Sequence, residues 1–95
     1  MENKETYQEK MSAKLHEWQA KIDVLKAKAD QAGADQKMKY KEQVENLRTK
    51  QQHMREKLDE LKAASEGTWE EVKKRVDRAR EDLEGAVEKL TKKFK

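Results

Sequence analysis

Leu15-His16-Glu17-Trp18-Gln19-Ala20-Lys21-Ile22-Asp23-Val24-Leu25 sets Leu15, Trp18, Ile22 and Leu25 at steps of three, four and three. That alternation keeps one face of an α-helix apolar and is the spacing of a coiled-coil seam. Outward from this stretch the stripe reaches back to Tyr7 and Met11 and forward to Ala29 and Ala32. The chain contains no proline, so every segment can enter a helix. More than half of its residues are Ala, Glu, Lys, Leu or Arg, a composition that with this period signals long helices and without it would signal disorder.

Two further stripes follow. Tyr40, Val44, Leu47, Met54, Leu58 and Leu61 share one face, with Gln51 standing where an apolar residue is due. A polar residue at a seam position either fixes register or partner number at some cost in stability, or turns its head to the seam's edge, and both readings stand. The third stripe runs Trp69, Val72, Val76, Ala79, Leu83, Ala86 and Leu90, and Val87 and Phe94 widen it towards its end. Gly85 falls off this stripe and weakens the helix slightly.

The boundaries come from glycine and capping residues. Ser65-Glu66-Gly67-Thr68-Trp69-Glu70-Glu71 carries the clearest signal: Gly67 can end one helix, and Thr68 with Glu71 forms a capping box that opens the next. Gly33 follows Lys26 and Lys28 and precedes Asp35, which reads as a turn over Ala32 to Asp35 with Asp35 as N-cap. A continuous helix through Gly33 is the alternative. Register argues against it, because the second stripe lies one position out of phase with the first.

The predicted fold is therefore all-α, a three-helix antiparallel coiled coil or bundle with helices over about 4–32, 35–65 and 68–94, forming a single domain over 1–95. Glu17 with Lys21, Glu70 with Lys74, Glu71 with Arg75 and Glu88 with Lys92 add i,i+4 pairs in the favourable direction. If the first and third helices adjoin, Trp18 and Trp69 could stack. The stripe is narrow for a globular core, which points to a homo-oligomer that buries it more completely.

Charge limits the partners. The 23 basic and 20 acidic residues are interspersed, with 6 and 6 over 1–34, 8 and 7 over 35–66, and 9 and 7 over 67–95. No basic stripe exists for a phosphate backbone, so no nucleic acid is expected. Lys37, Lys39 and Lys41 form one local cluster, and Lys89, Lys92, Lys93 and Lys95 form another around Phe94. The second could touch anionic lipid with Phe94 as a wedge, but Glu84 and Glu88 share its turns, and cations at a helix C-terminus are the simpler reading. A membrane surface is thus a disfavoured alternative.

No constellation carries chemistry. His16-Glu17-Trp18-Gln19-Ala20 begins like the zinc-protease helix but has Ala20 where the second histidine must stand, and His53 is remote in sequence. The glycines at 33, 67 and 85 are too dispersed to cradle a phosphate, and Ser12 and Ser65 have no suggestive histidine. With no cysteine there is neither a disulfide nor a thiolate site. The expectation is no enzyme, no catalytic residue, no metal and no cofactor. Met1 to Lys10 has no apolar signal core and no segment is apolar enough to span a membrane, so a cytoplasmic location is expected.

Met1 to Lys10, Leu15 to Leu25 and Leu61 to Glu71, together with the lysine-rich end at Phe94, resemble the small bacterial coiled-coil proteins of a stress-response family. Gly33 and Gly85 depart from the alanine- and lysine-rich stretches of such proteins. The resemblance implies a helical bacterial protein linked to stress and brings no catalytic motif. The expected function is a non-catalytic structural or interaction module. It self-assembles and binds partner proteins through a seam of Leu15, Trp18, Ile22, Leu25, Val44, Leu47, Met54, Leu58, Leu61, Trp69, Val72, Val76, Leu83 and Leu90. Lipid binding by its amphipathic helices is the alternative.

Overall fold

The computed structural model describes residues 3–94. Helix α1 spans Lys4–Asp30, α2 spans Ala34–Ala63 and α3 spans Trp69–Lys93, and the bundle measures 51 × 17 × 16 Å. Asp30 pairs with Lys41, Asp23 with Arg48 and Gln19 with Gln51, and the Lys4 ammonium donates to the carbonyls of Lys62 and Ala64. Numbers fall along α1 as they rise along α2. The Lys4 contacts also place a cation against the C-terminal carbonyls of α2, where the helix dipole favours it.

The apolar stripes meet in one core running from Tyr7 to Leu90. Ile22, Met54, Leu61, Val76 and Leu83 are completely enclosed. Of the predicted seam residues, Val72 is the one left only partly buried, while Val87 is buried in full. The third stripe therefore turns with the helix: 3.6 residues per turn carries a strict 3–4 alternation gradually off a straight axis, and the core face moves from the Val72 line to Val87.

Helix ends differ from expectation in three places. Asp35 is not the N-cap of α2: Gly33 takes that place with extended backbone (φ −61°, ψ 156°), and its carbonyl accepts from the N–H groups of Gln36 and Lys37 at 3.0 and 2.8 Å. Asp35 instead lies in the first turn, where a carboxylate still meets the positive end of the helix dipole. The Thr68–Glu71 capping box does not form either. Thr68 has helical backbone and no capping hydrogen bond, its hydroxyl lying 3.0 Å from that of Ser65, while the Ser65 carbonyl accepts from Thr68 and Trp69. Gly67 ends no helix, since α2 stops at Ala63, before it. Asn3 supplies the side-chain cap, its Oδ1 accepting from the Thr6 N–H at 2.8 Å.

The four anticipated i,i+4 pairs do not close among the described residues. Ion pairs form between other residues instead, across helices as in Lys50–Asp82 at 2.7 Å, or within α3 as in Arg80–Glu84. An exposed lysine gains little from any one of these geometries, so the choice among them is energetically small.

Gly85 is helical and exposed, with nothing within 4 Å of an added Cβ. Gly85→Ala is expected to raise stability by about 1 kcal/mol through helix propensity, read as a higher urea midpoint with unchanged slope. No change in midpoint would show that this part of α3 does not limit unfolding.

Candidate functional site

At the end of the bundle where α1 and α3 begin, Tyr7 holds the two helices together. Its hydroxyl donates to the Asp77 carboxylate and lies 3.4 Å from the carbonyl of Lys73. Its ring meets Trp69 edge-on at 6.4 Å, and the Lys73 ammonium stands 5.2 Å from the Tyr7 ring and 6.0 Å from that of Trp69. Trp69 thus stacks on Tyr7 and not on Trp18. Tyr7 is level with Lys73 and Asp77, and Trp18 lies eleven residues, about 16 Å, further along α1. There the Lys14 ammonium covers its ring at 5.8 Å.

At the opposite end Tyr40 packs against Phe94 with ring centroids 4.6 Å apart. Phe94 is half-buried in this contact, so it joins α2 to α3 and is not presented as a free wedge. Lys95, part of the same basic cluster, lies outside the described residues.

Midway, Gln51 resolves its two readings. It is buried, 4% exposed, and its amide donates to the side-chain oxygen of Gln19 across the α1–α2 interface. No buried side-chain N or O among the described residues lacks a partner. A satisfied polar pair inside an apolar stripe has one register in which it works, because a shift by a heptad would set Gln19 against Leu58 or Val44 and part Gln51 from its amide partner. Gln51→Leu is therefore expected to raise the thermal midpoint modestly while admitting alternative packings. The readout is broadened amide resonances or a mixed oligomer distribution beside that rise. A variant with sharp, single-state spectra would show that Gln51 does not specify the arrangement.

One pair of helices is less closely joined than the others. From Leu15 onward along α1, among the described residues, no hydrogen bond or ion pair connects α1 to α3. An open groove of about 550 Å³ lies between them, lined by Ala20, Lys21, Val24, Leu25, Lys28, Val87, Glu88, Thr91 and Lys92. Leu25 and Val87 are core residues whose edges form its floor, and Val24, 54% exposed, forms its outer wall. Four further hollows are smaller and lined mainly by charged or amide side chains.

The seam residues predicted to act together are brought together, but inside the chain's own core, so a partner reaches them only when the bundle opens or exchanges a helix. The groove was not anticipated. Its signal was Val24, a large apolar residue off the α1 stripe with lysines three before and four after it.

Both histidines are exposed: His16 borders a hollow with Arg55 and Asp59, and His53 one with Arg75 and Asp82. Among the described residues no three His, Asp or Glu side chains converge as metal ligands, and no helix is long and apolar enough to cross a membrane. No family model matches the chain, and no curated protein or solved structure matches it.

Proposed function

We propose that this chain is a non-catalytic structural and interaction module, an antiparallel three-helix coiled coil that associates with further copies of itself and with partner proteins by exchanging helices along its seam. The observation that carries this reading is the position of the apolar surface: one stripe per helix, joined into one core along the bundle. A helix from a second copy can satisfy such a stripe with the same contacts. The falling and rising contact numbers of α1 and α2 support the antiparallel arrangement. The resemblance to bacterial coiled-coil stress proteins supports a bacterial, stress-associated setting. Lipid-surface binding has less support, because Phe94 is engaged with Tyr40.

Exchange of α1 between copies requires α1 and α2 to straighten through residues 31–33. Gly33→Pro tests this. The Gly33 φ of −61° already suits proline and nothing stands within 4 Å of an added Cβ, so the closed chain tolerates it. Inside a continuous helix the same proline costs about 3 kcal/mol or more. Light scattering across a concentration series is expected to show a dimer for the parent chain and a monomer for Gly33→Pro. A parent chain that stays monomeric at every concentration removes the self-association reading. A dimer that survives Gly33→Pro removes exchange of α1 as its route.

A further inference from the structure

We infer that the α1–α3 groove is a binding site for a free, monomeric anionic amphiphile, a long-chain carboxylate whose apolar body lies on Leu25, Val87, Val24 and Ala20 and whose head meets Lys28 and Lys92, with Lys21, seven residues back along α1, adding positive charge to the rim. This goes beyond helix association, since it places a small ligand on the closed bundle.

Three observations converge on this occupant. The first is shape: the groove has the volume of a small-molecule site and an apolar floor made by the edges of two core residues. Ala20 to Lys28 runs about 12 Å along α1, so most of an extended twelve-carbon chain lies within it parallel to the helices. The second is charge. Three ammonium groups and one carboxylate, Glu88, line the groove, and among the described residues none of the four makes an ion pair or hydrogen bond. Lys26, Lys39 and Lys74 are likewise without an ion pair among the described residues, so what sets the groove lysines apart is the exposed apolar surface beside them. Unpaired cations of net excess beside exposed apolar surface complement a molecule that is apolar along its length and negative at its head.

The third observation is economy of fold. Val24 is exposed in the C-terminal third of α1, where a polar residue would cost nothing, and it lies in the stretch where α1 and α3 lack polar ties among the described residues. An acyl chain there would cover Val24 and the edges of Leu25 and Val87 together, removing apolar area from water without disturbing the core. The Thr91 hydroxyl donates to the Val87 carbonyl at 2.8 Å, which leaves its oxygen lone pairs and not its proton facing the groove. The anionic head is thus recognised by the lysines, not by Thr91.

Isothermal titration of the intact chain with laurate, kept below its micelle concentration, tests the assignment. Saturable binding of one laurate per chain is expected. The Lys21→Gln/Lys28→Gln/Lys92→Gln variant should weaken it by about tenfold to a hundredfold, as loss of charge-assisted contacts predicts. Dodecanol, with the same body and no charge, should bind the parent chain about as weakly as laurate binds that variant. Val24→Trp, at an exposed position that leaves the core intact, should obstruct the groove and reduce laurate binding, with circular dichroism confirming an unchanged helix content. Absence of saturable laurate binding overturns the inference, as does equal affinity of the parent chain for dodecanol or binding indifferent to both variants. Binding to anionic phosphatidylglycerol vesicles without binding of monomeric laurate also overturns it and assigns the lysines to a membrane surface.

Discussion

Leu47→Asp is expected to abolish the folded state, read as loss of the helical circular-dichroism signal at 25 °C, whereas Leu47→Ala leaves a weakened but folded bundle. Leu47 is 1% exposed and sits in the middle of α2, in the core shared with α1 and α3. Truncation to alanine removes the side chain's transfer free energy and leaves a void, together about 2–5 kcal/mol. A chain of 95 residues at about 0.05–0.15 kcal/mol per residue has about 5–14 kcal/mol in all, so the alanine variant stays folded over all but the low end of that range. Aspartate adds the cost of an ion, or of a carboxyl held neutral, with no donor in reach, and that further cost of several kcal/mol exhausts the margin. The pair of variants separates two views of the seam. If Leu47→Asp stays folded and loses only self-association, the α2 stripe is an external surface. Unfolding shows that it is first the chain's own core.

The fold was legible because its main signal is redundant. Each of the three stripes repeats its apolar residue several times over, so no single ambiguous position decides the helix. Boundaries were less legible because each rests on one or two residues. Gly33 and Thr68 show the limit: the sequence marks that a break occurs nearby, but either Gly33 or Asp35 could begin α2. Glycine at the N-cap costs only tenths of a kcal/mol relative to a hydrogen-bonding side chain, and tertiary packing makes the choice. The same holds for Thr68, whose hydroxyl finds Ser65 in the turn before it can reach the amide of Glu71. Gln51 was undecidable in one dimension, since its satisfaction depends on Gln19, thirty-two residues away.

The α1–α3 groove was hidden for a different reason. Periodicity identifies which residues face inward, but not which pair of helices closes least. That difference arises because the polar bridges from α1 go mostly to α2, through Asp23 and Asp30, while Tyr7 ties α1 to α3 near one end. Nothing in the spacing of the lysines announces that Lys21, Lys28 and Lys92 end on one side of one groove.

Tyr7 also gives the second large effect. Tyr7→Ala is expected to cost about 3–5 kcal/mol, the range for removing a buried aromatic side chain, and to loosen the end of the bundle where α1 and α3 begin. Tyr7 is 1% exposed, although it lies only four residues into α1, where an isolated helix would fray. Its ring fills the space against Trp69, and its hydroxyl satisfies Asp77, so two kinds of contact hold one end. Tyr7→Phe isolates the second. It keeps the ring and removes the donor to a carboxylate that remains partly open to water, for a loss of about 1–2 kcal/mol. In a Trp18→Phe background Trp69 becomes the only tryptophan and reports on this end directly. Tyr7→Ala should then shift its emission to the red before any denaturant is added, while Tyr7→Phe should not. If both variants leave the emission and the urea midpoint unchanged, Tyr7 does not hold this end, and the closure of α1 on α3 has to come from the rest of the apolar core.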